Sequence, residues 1–313
     1  MGEAKRRLEE MKVAPCRCRS GRQSASCCFD GVRWHKPASG LDLRSGSPST
    51  TLERCYMQEL GNCEAPISGE HLISEAVIEI LRGDGNFTAS GLPWLEAGET
   101  KALAPKNLTA NCLCRRHNSA LSPLDAAAKI FFAGLRDCLE SSEAVLPYLL
   151  SGHDVERWLL KTLKAMAVSG SLAQGRVKLP GAFERGVDII RMLEHVDEWP
   201  EATGLYFIMP TGSQLINHTR FQLQPWYGDA QKELVGLWSN FLGLEFVMMI
   251  AAPNVLQSPG LKNWLYRPSA IDVLIGKSKR QIGLSWQDGR LHRPIQVTFE
   301  KLVTSTASKG TDS

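Results

Sequence analysis

Apolar residues at 73, 77, 78, 80 and 81 recur at helical spacing, which predicts a helix over 73–81 that Gly83-Asp-Gly85 ends. A second helix is predicted from Ser122-Pro123 to about Leu139. Proline suits the first helical position, and Asp125, three residues after Ser122, completes a capping box. Residues 3–12 are rich in Lys, Arg and Glu with only Leu8 and Met11 as apolar anchors, the pattern of a short solvated helix. Beyond residue 150 the pattern changes. Helices are expected near 154–168, 183–195 and 229–241, interleaved with strand-like runs at 205–209, 221–223, 245–251, 271–275 and 295–299. Gly91-Leu-Pro-Trp94 reads as a loop or sheet edge, 37–51 as a Ser/Gly/Pro-rich linker, and 305–313 as a disordered tail.

The whole is an α+β chain: a small N-terminal motif over 1–36, the linker 37–51, a module over 52–150, and a mixed α+β domain over 151–304 followed by the tail 305–313. No internal repeat and no glycine-rich phosphate loop is present.

Composition narrows the class. The 313 residues carry a net charge of only +3, yet residues 1–50 hold ten Lys/Arg against five Asp/Glu, so the positive end is the front. The charged N-terminus has no apolar stretch of secretory type, and the longest apolar run, 246–253, is too short to cross a bilayer, so a cytoplasmic protein is expected. In that compartment thiols stay reduced. Nine cysteines, seven of them before residue 113, therefore point to metal binding rather than disulfides.

Cys16, Cys18, Cys27 and Cys28 place four thiols within thirteen residues, close enough to share a tetrahedral zinc that folds a segment too small for a core. The run from Cys16 through Ser20-Gly21 to Cys27-Cys28 resembles the SEC-C motif, a small zinc-binding tail of bacterial proteins, with Arg19 where that motif commonly has glycine. Arg17, Arg19 and Arg22 beside these thiols suggest an acidic partner, protein or nucleic acid; a merely solvated basic tip is the competing reading.

A second ligand set is divided. Cys55 and Cys63, followed far downstream by Cys114-Arg-Arg-His117, can close a zinc site joining two distant segments, with Cys112 as an alternative thiol. Glu70, His71 and Asn118 would lie beside that knot as a carboxylate, an imidazole and an amide, groups suited to a hard cation and a general base. The stretches around Cys55–Cys63, Ser68-Gly-Glu-His71-Leu-Ile-Ser74 and Asn107 to Asn118 together resemble an HNH endonuclease of the ββα-metal type.

That resemblance implies a metal-dependent nuclease acting on nucleic acid. His71 would be the general base, Glu70 and Asn118 the ligands of Mg²⁺ or Mn²⁺, Asn107 the residue fixing the loop between strands, and Cys55, Cys63, Cys114 and His117 the structural zinc site. The chain departs from the HNH pattern at Ser74, where proline is common, at Asn118, where histidine is common, and in the seven residues between Cys55 and Cys63. These departures keep open a catalytically inactive zinc-built adaptor for nucleic acid or protein on the same scaffold. Other readings are structural. His71 alone could cap or pack at the start of the 73–81 helix, Cys138 reads as a small buried hydrophobe, and His153, His195, His218 and His292 as surface or core residues. The tryptophans at 158, 199, 226, 238, 264 and 286 read as core or rim, and 277–280 as a solvated turn.

Overall fold

The computed structural model describes residues 2–46, 50–82, 88–90, 95–96, 99–102, 108–141, 145–174, 177–183, 186–215, 221–228, 233–251 and 264–300. It opens with α1 (Glu3–Val13), an exposed helix whose charges pair along its own length, Arg7 with Glu3 and Lys12 with Glu9. The strands β1 (Ile67–His71) and β4 (Thr109–Cys114) pair antiparallel, and α3 (Arg115–Glu140) follows β4 directly. Between them lie α2 (Glu75–Arg82) and the short pair β2 (Thr88–Ser90) and β3 (Thr100–Ala102). The order is strand, strand, helix, with an insertion between the strands.

The chain continues through β5 (Tyr148–Ser151), α4 (Gly152–Ser169), the small ribbon β6 (Ala173–Gln174) and β7 (Val177–Lys178), and α5 (Ile189–Glu194). Nine further strands complete the described part: β8 (Gly204–Phe207), β9 (Gln214–Leu215), β10 (Phe221–Tyr227), β11 (Leu234–Phe241), β12 (Leu244–Met249), β13 (Leu265–Tyr266), β14 (Ala270–Ile275), β15 (Ser278–Ser285) and β16 (Ile295–Phe299). They form an antiparallel sheet, β10-β11-β12-β8-β13, and with β5 a mixed sheet, β5-β15-β14-β16-β9.

One face of the antiparallel sheet presents Phe207, Phe221, Phe241 and Phe246 to Phe131 and Phe132 of α3 and Trp158 of α4, in edge-on and tilted contacts that fill the centre of the molecule. Trp226 on one edge strand stacks on Trp264, beside the opposite edge strand, at 5.7 Å between ring centroids, and Tyr206, Val247 and Met249 are buried beneath them as a small second core. The tryptophans thus lie in core and rim positions.

The chain is mixed α and β, and several local expectations hold while others give way. The 73–81 pattern forms α2, and 154–168 forms α4. The 183–195 pattern contracts to the six residues of α5. The helix expected over 229–241 is instead strand β11, held between β10 and β12. Its apolar residues at 234, 235, 237, 238 and 241 satisfy either period, and pairing with two neighbours decides in favour of the strand. The helix expected from Ser122 begins at Arg115 with Cys114 as its cap, so Pro123 falls in the interior and Asp125 caps nothing. The expected turn at 277–280 is only the tip of the β14–β15 hairpin. Arg280 is buried in the following strand and donates to the carbonyls of Asp137, Cys138 and Ser141 at the end of α3.

The linker 37–51 is also partly built into the body: Ala38 N donates to Gln287, Ser39 binds Asp154, and Leu43 is fully buried. The buried core runs without a break from Leu43 to Phe299, and position 150 falls inside β5. Gly83-Asp-Gly85, Gly91-Leu-Pro-Trp94, Asn107, His218 and the tail 305–313 lie outside the described residues. Among the described residues no helix is long and apolar enough to cross a membrane.

Candidate metal centres

Among the described residues, two side-chain groups can hold a metal ion. In the first, the loop after α1 folds back so that Cys18 Sγ lies 3.4 Å from Cys16 Sγ and 3.5 Å from Cys27 Sγ, while Cys27 and Cys28 are 3.6 Å apart. Tetrahedral zinc with Zn–S bonds of about 2.3 Å separates its sulfurs by about 3.8 Å, so the spacing fits that ion with little adjustment. Arg19 adopts φ 60°, the left-handed conformation that favours glycine. Cys27 is the one partly exposed thiol; its Sγ accepts from Arg22 at 3.2 Å and lies 3.3 Å from Ser20 Oγ. Burial alone would raise its pKa, but hydrogen bonds from Ser20, Cys18, Cys28 and Cys16 together bring it down to about 6. The thiolate, the form that binds metal, is thereby favoured near neutrality.

This centre sits on the sheet rather than apart from it. Leu149 N of edge strand β5 donates to Arg17 O at 3.0 Å, and Leu149 packs among Cys16, Cys18 and Cys28. The arginines read as facing an acidic partner all meet groups of this chain. Arg17 lies 4.1 Å over the Trp34 ring, Arg19 lies 4.0 Å over Tyr148 and donates to Leu146 O, and Arg22 holds Cys27.

In the second group, His117 Nδ1 lies 3.2 Å from Cys114 Sγ, 3.4 Å from Cys55 Sγ and 3.8 Å from Cys63 Sγ. Tetrahedral zinc bound by sulfur and imidazole nitrogen predicts about 3.6 Å. All four ligands are buried. Asn62, which the sequence did not single out, fixes the imidazole: its amide nitrogen donates to Leu43 O at 3.0 Å and Ser45 O at 2.9 Å, so its Oδ1 must accept the His117 Nε2 proton at 2.9 Å. Nδ1 is then left with its lone pair toward the three sulfurs. Burial, aided by Arg116, holds the imidazole below its usual pKa and so neutral. Burial pushes the Cys55 thiol up to about 12, and a metal ion would favour the thiolate there. Cys112, the alternative ligand, lies outside the group, its thiol also pushed up to about 12 by burial.

The residues read as a catalytic set are distributed differently. His71 pairs across the ribbon with Thr109, and Glu70 with Ala110. Neighbours along a strand face opposite ways, so His71 shares the outer face with Thr109 while Glu70 turns inward. The His71 side chain is half-buried and has no hydrogen-bond partner among the described residues. Asn118, on the first turn of α3, donates from its amide to Ser68 Oγ at 3.1 Å.

Glu70 is 2 % exposed, and its Oε1 lies 2.7 Å from Lys161 Nζ of α4. The same ammonium donates to Asp125 Oδ2 at 2.6 Å. Asp125 also accepts from Ser74 Oγ, which accepts from Trp158 Nε1 at 2.8 Å. Burial works against the Lys161 charge, and Glu70 and Asp125 outweigh it, holding its pKa above the ordinary value. An ammonium already seated between the two carboxylates leaves no room for a divalent ion, so Glu70 does not fit Mg²⁺ or Mn²⁺ in this arrangement. Lys161 was not legible as a site residue, although α4 gives one signal. Apolar residues at 155, 158, 159, 160, 163, 165 and 166 cover most of its circumference, and a helix buried on all sides must pair its charges internally.

No family model, no curated protein and no solved structure matches the chain.

Proposed function

We propose that the protein is a zinc-built scaffold of HNH type that binds nucleic acid without hydrolysing it. The observation carrying this reading is the opposite facing of His71 and Glu70 on the β1–β4 ribbon, which separates the general base from the carboxylate that would hold its metal. The strand, strand, helix order and the Cys55, Cys63, Cys114, His117 group support the scaffold; both donor sets are those of structural zinc.

Cations flank the second centre. Arg54 beside Cys55 and Arg115 beside Cys114 are exposed, and neither has a carboxylate within 4 Å among the described residues. Arg54 also lines a cleft of about 550 Å³ with Asn111, the half-buried Lys164 and one carboxylate, Glu53, and its two cations offer contacts to a phosphate backbone.

A second reading, hydrolysis with His71 as base, is favoured by the unpartnered imidazole alone. One experiment separates the two. Purified protein with its zinc content measured is incubated with labelled DNA and RNA in Mg²⁺ or Mn²⁺, and both gel shift and cleavage are scored beside His71→Ala. The expected result is salt-sensitive binding by both proteins and cleavage by neither. Cleavage by the native protein that disappears in His71→Ala refutes the binding-only reading and establishes the hydrolytic one. Absence of binding at low salt removes nucleic acid as the partner.

A further inference from the structure

A buried charge cluster lies between β1, α3 and α4, outside the two ligand groups. Lys161 projects from α4 and places one ammonium 2.7 Å from Glu70 Oε1 of β1 and 2.6 Å from Asp125 Oδ2 of α3. The side chains of Lys161 and Glu70 are 2 % and 3 % exposed, and that of Asp125 is 28 % exposed. The contacts of Ser74 and Trp158 fix the second Asp125 oxygen.

We propose that the Lys161 ammonium is the resident cation of a Glu70–Asp125 site, standing where a divalent ion would bridge the two carboxylates, so that the native chain takes no exchangeable metal there. The inference deepens the binding-only reading and rests on it for its meaning. A divalent ion bridging both oxygens needs contacts of about 2.0–2.6 Å to each, which is the volume the nitrogen already fills. Metal entry would require expelling a buried ammonium or setting two cations side by side, both unfavourable away from water.

Removing the charge reverses the situation. Lys161→Gln leaves two inward-facing carboxylates without a cation, and like charges so placed favour either a proton or a metal. Manganese titration followed by electron paramagnetic resonance tests this on full-length, zinc-loaded protein, with zinc content and circular dichroism as folding controls. The native protein is expected to bind no Mn²⁺ that depends on Glu70. Lys161→Gln is expected to gain one Mn²⁺ per chain, and the added substitution Glu70→Gln to abolish it.

A folded Lys161→Gln protein without the new site overturns the proposal. So does Mn²⁺ binding by the native protein that Glu70→Gln removes. That native comparison decides the matter even if Lys161→Gln fails to fold. Cleavage of nucleic acid by the native protein without Glu70-dependent Mn²⁺ binding would refute the binding-only reading and leave the resident cation standing.

Discussion

Asn62→Ala isolates the part of the second centre that no ligand count contains. The side chain is 5 % exposed and makes three hydrogen bonds, accepting from His117 Nε2 and donating to Leu43 O and Ser45 O. Loss of the first frees the imidazole to rotate and to take the wrong tautomer. Partners of this kind are worth about 10- to 100-fold in metal affinity, or about 1.4–2.8 kcal/mol. Loss of the other two loosens the segment at 43–45, at about 1 kcal/mol for each bond, although Leu43 O keeps a second donor in Arg116.

Asn62→Asp separates these contributions, because it preserves an acceptor for the imidazole while removing the same two donors. Competition against a chromophoric chelator, with two zinc equivalents resolved, should show the alanine protein releasing one equivalent about 10- to 100-fold more readily. The aspartate protein should stay close to native in zinc affinity and share the loss of folding stability. Equal zinc affinity in the two variants would refute the reasoning, because the effect would then come from the 43–45 segment and not from the His117 bond.

Two further outcomes test the frame around the centres. Arg280→Ala should destabilise the fold by about 2–4 kcal/mol, read as a lowered urea midpoint, because it leaves the last carbonyls of α3 without their charged donor; a change below about 0.5 kcal/mol would show that other groups satisfy them. At Asp288, burial alone would raise the carboxyl, but His292, Arg267 and the Arg290 N–H hold it well below the usual carboxylate range. Its stabilisation is therefore present above about pH 4 and is lost as pH falls through the lower folded-state pKa. Asp288→Asn should flatten the fall in stability on acidification; an acid limb as steep as the native one would exclude this carboxylate as its source.

Metal chemistry was the most legible part of the sequence, since cysteines grouped at ligand spacing have few other uses, and both groups come together as their spacing suggests. Strands 205–209, 245–251, 271–275 and 295–299 were legible for a similar reason: short apolar runs between breakers admit few alternatives. Residues 234–241 were not, because alternation and helical spacing coincide there and only the neighbouring strands break the tie. The start of α3 was misplaced because Ser122-Pro123 imitates a cap, while the true cap, Cys114, is itself one of the four ligands. Asn62, Lys161 and Arg280 act through partners 55, 91 and 142 residues away, and no local pattern carries such pairings.

Helix α3 connects these levels. Its cap Cys114 and first-turn His117 belong to the metal centre, Asp125 to the buried ion pair, and Phe131 and Phe132 to the aromatic core, while Arg280 closes its end. A 26-residue helix that begins at one ligand group thus joins that group to the buried ion pair and the aromatic core. Loss of a bound metal would unpin the first turn, and the next fixed points along the helix are Asn118 on Ser68 and Asp125 on Lys161. The second metal centre is thus a structural element in a specific sense. A metal held there would tie Cys55 and Cys63 to the start of the helix whose Asp125 shares the Lys161 ammonium with Glu70.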